Sequence, residues 1–527
     1  CENCGDCSVQ STCVSLVPVD TEFGFKRAID QSSCNKDYSC VDGFCPSFVT
    51  IEGAAPRRPD GIALDEARLA TLPDPQPAVV GTGLNIIIAG IGGTGVVTVG
   101  ALLGMAAHID GLAMSSFDMT GLSQKNGAVF SHLRIAARPE DITTQRIARG
   151  EADIMIAFDA VAATAAEAFD TLRHGRTRVL VNTDVAATVA FQFDRDFALD
   201  PAVLVARLRR AAGADRVDTL AATSIATALL GDSIGANLFA VGYLAQRGML
   251  PLSVAAIEQA IALNGVAVNF NRRAFALGRL YAAEPEPLLD GLAPERPSEA
   301  AMTLEALIAQ RARHLAAYQD ERLAERFRAL VRQVEAAERA LDPASEIVTR
   351  AVAKTHARLL AYKDEYEVAR LLSAPSLRDE IASAFAPGAR LSFNLAPPIL
   401  GSKGRGGRPA KRTFGAWLLP VLGVLARLKR LRGTWADPFG HTRERRMERA
   451  LIAEYEALVA RVLPALTSNN LAEAARLLAM AGAIRGFGPV KEAAAERYRK
   501  DIVAAEQAFL APTPSRKAAL AAAEMAD

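Results

Sequence analysis

Apolar and polar positions change texture along this chain, and each texture predicts a different kind of structure. From Leu84 onward, short apolar runs alternate with stretches of helical period. Asn85 to Ala89, Ala128 to Ile135, Ala152 to Phe158 and Arg178 to Asn182 read as buried strands, because strands covered on both faces carry near-continuous apolar residues. Val96 to Ile109 and Val161 to Leu172, both Ala-rich, have the length of helical crossovers. The alternation predicts an α/β domain over 85–283 with a Rossmann-like, mostly parallel sheet. After about 185 the pattern continues as helices, including Ile234 to Arg247 and one from Leu252 that Ser253 caps behind Pro251.

The remaining regions read differently. Ala, Leu, Arg and Glu recur with helical period from 301 to about 342, from 346 to 372 and from about 414 to 510, which predicts an all-α domain over 301–515 and a frayed tail at 516–527. Pro375, Pro387 and Pro397-Pro398 interrupt it ahead of a Gly/Arg loop at 401–409. Residues 1–55 are Cys-rich and follow no period, while 56–84 and 284–300, rich in Pro with Asp, Gly or Glu, read as linkers.

Sixty basic and fifty-nine acidic residues leave a formal charge of +1, so bulk electrostatics points neither to nucleic acid nor to an acidic membrane. No apolar run approaches the roughly 20 residues of a membrane span, and no secretory leader is visible. The chain opens on Cys1 without an initiator Met, so it reads as a portion with residues missing upstream.

All seven cysteines (Cys1, Cys4, Cys7, Cys13, Cys34, Cys40 and Cys45) lie in the first 45 residues. An odd number of thiols at one end of a large, otherwise cysteine-free chain suits a metal site in a reducing, cytoplasmic compartment better than a disulfide scaffold. Cys1-x2-Cys4-x2-Cys7 lets one loop serve three of the four irons of a [4Fe–4S] cube. Cys45, followed by Pro46, is the favoured fourth ligand, since a Cys-Pro pair closes the bacterial ferredoxin run. Cys13, Cys34 and Cys40 are alternates; the last two read as ligands of a second site or as buried thiols shielding the first. Zinc remains the competing metal, although its sites usually present two separated Cys-x2-Cys pairs.

Gly90-Ile91-Gly92-Gly93-Thr94-Gly95 follows a strand and opens a helix, the context in which such glycines bring the backbone against an anion at a helix N-terminus. Asp118, 23 residues beyond Gly95, stands near where a ribose-binding acid of a dinucleotide site is expected. A polar loop, Met119 to Gly127, then follows, which ordinary dinucleotide domains lack. The plainer alternatives are a surface turn for that loop and tight helix–strand packing for the glycines.

These residues resemble the γ-type domain of pyruvate and ketoisovalerate ferredoxin oxidoreductases, in Ile86 to Gly95, in Gly121 to Gly127, and in Ala236 to Gly242 with Asn271 to Gly278. Cys1 to Cys7, Asp30 to Asp37 and Gly43 to Phe48, with Tyr362 to Tyr366 in the tail, are similar to the large fused bacterial indolepyruvate ferredoxin oxidoreductases. The resemblance implies thiamine-diphosphate-dependent oxidative decarboxylation of an aryl 2-oxoacid to its CoA thioester, with electrons passing through iron–sulfur centres to ferredoxin. It implies a relay cluster on Cys1, Cys4, Cys7 and Cys45. It also implies that Gly90, Gly92, Gly93, Gly95, Ser123, Gln124, Asn126 and Asn237 cradle the phosphates of CoA or wall the thiamine domain. No Gly-Asp-Gly followed by a suitably spaced Asn is present, so thiamine diphosphate and Mg2+ are expected on upstream domains or a subunit. This portion alone is then inactive and carries no acid–base catalyst; a homodimer is the expected assembly.

Ten basic residues and no acidic one lie between Ile381 and Ala436: Arg390, Lys403, Arg405, Arg408, Lys411, Arg412, Arg427, Lys429, Arg430 and Arg432. They read as a patch for CoA, acidic ferredoxin or another subunit, or as a solvated loop. Aromatics are not interleaved with them as nucleic-acid binding requires. Two further readings compete with the resemblance: an iron–sulfur oxidoreductase binding NAD or FAD at the glycine turn, and a non-catalytic zinc scaffold.

Overall fold

The computed structural model describes residues 1–527 except 32–33, 56, 58–63, 122–126, 186–189, 198, 290–297, 398–409 and 512–527. The chain forms two compact units: Arg57–Glu295 is one, and Cys1–Pro56 together with Arg296–Asp527 is the other. The cysteine segment is therefore not a free-standing module but part of the helical body.

In that two-segment unit, β1 (Leu16–Val19) and β2 (Lys26–Ile29) form an antiparallel hairpin. β3 (Val49–Glu52) closes the cysteine segment. In the contiguous unit, β4 (Leu84–Ile91), β5 (Ala113–Thr120), β6 (Ala128–Ala136), β7 (Ile154–Ala157), β8 (Arg178–Asn182) and β9 (Val217–Leu220) form one sheet in the order β5-β6-β4-β7-β8-β9. Only β6 runs against the other strands of this sheet. Along β4 the side chains alternate between two cores: Ile86 and Ile88 pack on the side of Val99, Leu103 and Phe239, while Ile87 and Ala89 pack with Met155, Val179 and Leu208. Both faces are covered, which is why the strand is apolar throughout.

The helix Val96–Ile109 connects β4 to β5 as expected. The expected helix over Val161 to Leu172 is instead two single turns, Ala160–Ala163 and Ala166–Phe169. β9 falls where only helices were expected; its Val-Asp-Thr-Leu is too short and too polar to stand out. Ser253 does cap the helix Val254–Asn264, accepting from the Ala256 N–H. The helices Ala236–Gln246 and Val268–Ala283 cross in direct backbone contact, because a Cβ on Gly242 would stand 2.0 Å from the Phe275 carbonyl oxygen and one on Gly278 1.9 Å from that of Phe239.

The C-terminal region is largely helical: Leu304–Tyr318, Glu321–Leu341, Ile347–Leu360, Arg443–Val462, Leu471–Ala479 and Gly488–Leu510 surround one core. Its exception is a hairpin of β10 (Arg390–Leu395) and β11 (Arg412–Gly415), which departs from the all-α pattern. β10 also pairs antiparallel with β3, placing Phe393 opposite Val49. This three-stranded sheet ties the end of the cysteine segment to a strand more than three hundred residues away.

Candidate functional site

The first seven residues wind tightly because Asn3 (φ 51°) and Gly5 (φ 81°) adopt left-handed conformations on either side of Cys4. Such alternation turns successive N–H groups inward, as in the backbone nests that surround anions and iron–sulfur clusters. Cys1 Sγ accepts from the Asn3 N–H of this turn at 3.3 Å and from the Arg27 N–H of the neighbouring strand at 3.4 Å. Arg27, on β2, also holds the turn through Nε to Asn3 Oδ1 at 3.2 Å and Nη1 to Ser8 Oγ.

Cys45 reaches this turn from the far end of the segment. The Phe44 N–H donates to Asp6 Oδ2 at 2.6 Å. Gly43 lies so close to the turn that a Cβ there would stand 2.8 Å from Cys7 Cα. Burial pushes the Cys4 thiol up to about 11, with Cys45 and Cys7 adding to the rise and an N–H bond from Asp6 opposing it. Burial likewise raises Cys7, with Cys45 again contributing and Arg27 opposing. The loop that ends on Cys45 thus packs against the turn that bears Cys4 and Cys7. A second gathering surrounds Cys40, pushed up to about 11 by burial and then by Cys13, Cys7 and Cys34. Cys7, Leu16 and Cys40 share a small apolar cluster against which Cys13 packs.

Among the described residues, no three Cys, His, Asp or Glu side chains converge on a single-ion geometry. A cube differs from a single ion in that each thiolate binds its own iron at a separate corner. The donor set here, buried and half-buried thiols within an N–H-rich turn, suits a cluster by its chemistry.

Charge around the turn comes from residues that no spacing rule connects to it. Lys363 Nζ donates to Glu2 Oε1 at 2.5 Å. Burial disfavours the Glu2 carboxylate, but the Lys363 and Lys491 ammonium groups outweigh it and hold the carboxyl below its ordinary range. Two members of the basic stretch are also structural. Arg432 is buried, clamping Asp364 through Nε at 2.5 Å and Nη2 at 2.9 Å, with its guanidinium 3.6 Å from the Tyr318 ring centroid. Lys411 reaches back to the cysteine loop. Lys403, Arg405 and Arg408 lie outside the described residues.

In the other unit, the glycine turn stands at the carboxyl end of β4, where the connections leave to opposite sides and ligands of open α/β sheets are usually held. Gly90 is required by packing, since a Cβ would meet Val96 Cγ2 at 2.6 Å. Gly93 (φ 88°) and Gly95 (φ 92°) supply left-handed turns, and Gly92 N–H donates to Gly127 O at 2.8 Å. That bond joins the turn to the end of the loop between β5 and β6. Ser123, Gln124 and Asn126 on that loop lie outside the described residues. Asn237 is brought to the turn, but its Nδ2 donates to Thr94 O at 2.7 Å, so it braces the glycines. Gly93 and Thr94 are exposed, and the N-cap of the helix that follows is Gly95, which has no side chain with which to cap it. Asp118 is on β5, separated from β4 by β6, which removes it from the place a ribose-binding acid takes beside the glycine strand. A groove of about 650 Å³ at the start of β5, lined by Gly104, His108 and Met114, lies at the opposite end of the sheet and holds no candidate residue.

Residues 85–281 match the family pyruvate ferredoxin/flavodoxin oxidoreductase, and residues 304–504 match a family of unknown function, DUF6537. The chain is 28% identical over 209 residues to the indolepyruvate oxidoreductase subunit IorB of Archaeoglobus fulgidus, spanning 39% of this chain and 98% of that protein. It is 28% identical over 203 residues to the same subunit of Pyrococcus horikoshii, spanning 38% and 96%. A solved structure, the gamma subunit of a keto/oxoacid ferredoxin oxidoreductase from Geobacter sulfurreducens, is 22% identical, covering 38% of this chain and 98% of that one at a TM-score of 0.27. No helix among the described residues is long and apolar enough to cross a membrane. By the matches above, residues 85–281 are a γ-type domain of the pyruvate ferredoxin/flavodoxin oxidoreductase kind, distantly similar to the indolepyruvate oxidoreductase subunit IorB, and are followed in the same chain by a C-terminal DUF6537 domain.

Proposed function

We propose that this chain is the electron-transfer and γ-domain portion of a thiamine-diphosphate-dependent 2-oxoacid:ferredoxin oxidoreductase of the indolepyruvate type. The reaction is oxidative decarboxylation of an aryl 2-oxoacid to its acyl-CoA, with electrons delivered to ferredoxin. Thiamine diphosphate and Mg2+ belong to upstream domains or a partner subunit, with which the γ-type domain associates. The observation that carries the reading is the packing of the Gly43–Cys45 loop against the turn that bears Cys4 and Cys7, in the same chain as a γ-type domain.

Cys1, Cys4, Cys7 and Cys45 are the ligands in this reading. A [4Fe–4S] cluster, when bound, takes up and gives back one electron at a time. The protein's part is to bury the thiolates, donate N–H groups to sulfur and surround the site with Lys363, Lys411 and Arg27. At the glycine turn, the helix start behind the glycine N-cap Gly95 and the exposed Gly93-Thr94 backbone suit a phosphate of CoA. Iron and acid-labile sulfide, with low-temperature EPR after dithionite reduction of anaerobically purified protein, test the cluster. About four irons per chain, and a reduced-state signal that Cys4→Ser removes, are expected; zinc without sulfide refutes the reading.

A further inference from the structure

Lys411 immediately precedes β11 and is half-buried. Its Nζ donates to three main-chain carbonyls of a single loop: Val41 O at 2.8 Å, Cys45 O at 2.7 Å and Gly43 O. An ammonium has three protons, so the group is fully used. All three acceptors belong to the short stretch that ends on Cys45. The other side of this stretch rests on the turn of Cys4 and Cys7, through Phe44 N–H to Asp6 and the close approach of Gly43 to Cys7. The Lys411 ammonium also stands 5.6 Å from the Phe48 ring centroid. Cys45 is thereby held between its own segment and a residue 366 positions away.

We propose that Lys411 is a positioning residue for the cluster: it fixes the arm that carries the remote ligand Cys45, and its charge favours the reduced state. The inference rests on the cluster reading above. Lysine suits both tasks. One tetrahedral nitrogen converges three bonds on carbonyls that point to a common centre, whereas the planar fork of arginine spreads its donors. A fixed positive charge beside a cluster of thiolates stabilises the form that carries one more electron, and net charge is among the factors that set such potentials.

The test uses the full-length protein purified without oxygen, comparing Lys411→Met, Lys411→Arg and, as a control, Lys429→Met, whose native ammonium donates to Ala317 O instead. Readouts are iron and sulfide content, the rate of iron loss to a chelator, and the midpoint potential from EPR-monitored titration. Lys411→Met is expected to lose iron about tenfold faster, the usual scale for removing a residue that orients a metal ligand, and to shift the potential to more negative values. Lys411→Arg is expected to lose iron faster while keeping the potential near wild type, and Lys429→Met to match wild type in both. Wild-type iron loss and potential in Lys411→Met overturn the proposal. Should Lys411→Met fail to fold, Lys411→Arg decides alone: faster iron loss supports the proposal, and an unchanged rate overturns it. A wild-type protein with neither iron nor sulfide overturns the cluster reading itself, a result that no Lys411 variant can mimic.

Discussion

The two units bury very different things. Arg57–Glu295 is continuous in sequence, and its two cores are almost wholly Ala, Val, Ile, Leu, Met and Phe on either side of one sheet. The unit made from Cys1–Pro56 and Arg296–Asp527 is stitched from two stretches and buries many ionised groups: Asp364 with Arg432, Arg445 with Glu448, Lys491 with Glu448, and Glu338 accepting from Val348 and Thr349 N–H groups. Non-directional burial suffices to define a sheet covered by helices. A buried ion pair contributes little net stability against an apolar pair, yet breaking it is costly, so it penalises misplacement of either partner. Lys363 with Glu2 and Arg311 with Glu299 bring this logic to the cysteine segment and its helical bed. Both units rest on apolar packing, and the unit with the thiols adds specific buried polar contacts that fix its register.

Variants can break that contrast in order of expected effect. Cys45→Ser is expected to abolish the reduced-cluster EPR signal, whereas Cys34→Ser keeps it; a signal that survives Cys45→Ser and is lost in Cys34→Ser would relocate the fourth ligand to the group around Cys40. Arg432→Met leaves Asp364 buried without its partner, at a cost of about 3–5 kcal/mol. Hydrogen exchange should accelerate in the helices Ile347–Leu360 and Glu365–Ser373 while β4 and β7 remain protected. Gly242→Ala does the reverse: its methyl group drives into the Phe275 carbonyl, an overpacking cost of about 1–3 kcal/mol or more, read as faster exchange in Ala236–Gln246 and Val268–Ala283.

His132 on β6 makes the α/β unit sensitive to acid. His132 accepts a hydrogen bond at Nδ1 from the Ile147 N–H at 3.2 Å. Burial, with Arg146 and Arg134 nearby, lowers it from 6.5 to about 4. The unfolded chain therefore binds the proton first, so stability falls as pH drops from about 6.5 and levels off below about 4. Urea midpoints across that range should vary less in His132→Gln than in wild type. Ser253→Ala, which removes one helix cap, is the smallest expected change, about 1 kcal/mol in urea unfolding.

Periodicity and spacing carried most of the contiguous unit. The apolar runs around Ile86 to Ala89 and Arg178 to Asn182, the glycine turn and the Ser253 cap are local consequences of side-chain period, backbone freedom and hydrogen-bonding capacity. The Cys1-x2-Cys4-x2-Cys7 turn is local in the same sense. β9 and the split at Thr164 were not legible, because four mixed residues make no period and a helix can end wherever its last carbonyls find other partners. In the basic stretch, composition suggested a patch, whereas Arg432 is spent on Asp364 and Lys411 on the Cys45 loop.

What the sequence by itself determined is the identity of the thiols, the glycine turn and the alternating elements that present it, since each is written within a few consecutive residues. What only the tertiary structure decided is which distant residues serve them. β10 joins β3, Lys363 meets Glu2, Asn237 braces Thr94 and Lys411 secures Cys45. The reason is physical: a charge or an amide finds its partner by position in space once the chain is closed, and neither residue's neighbours in sequence record which partner that will be.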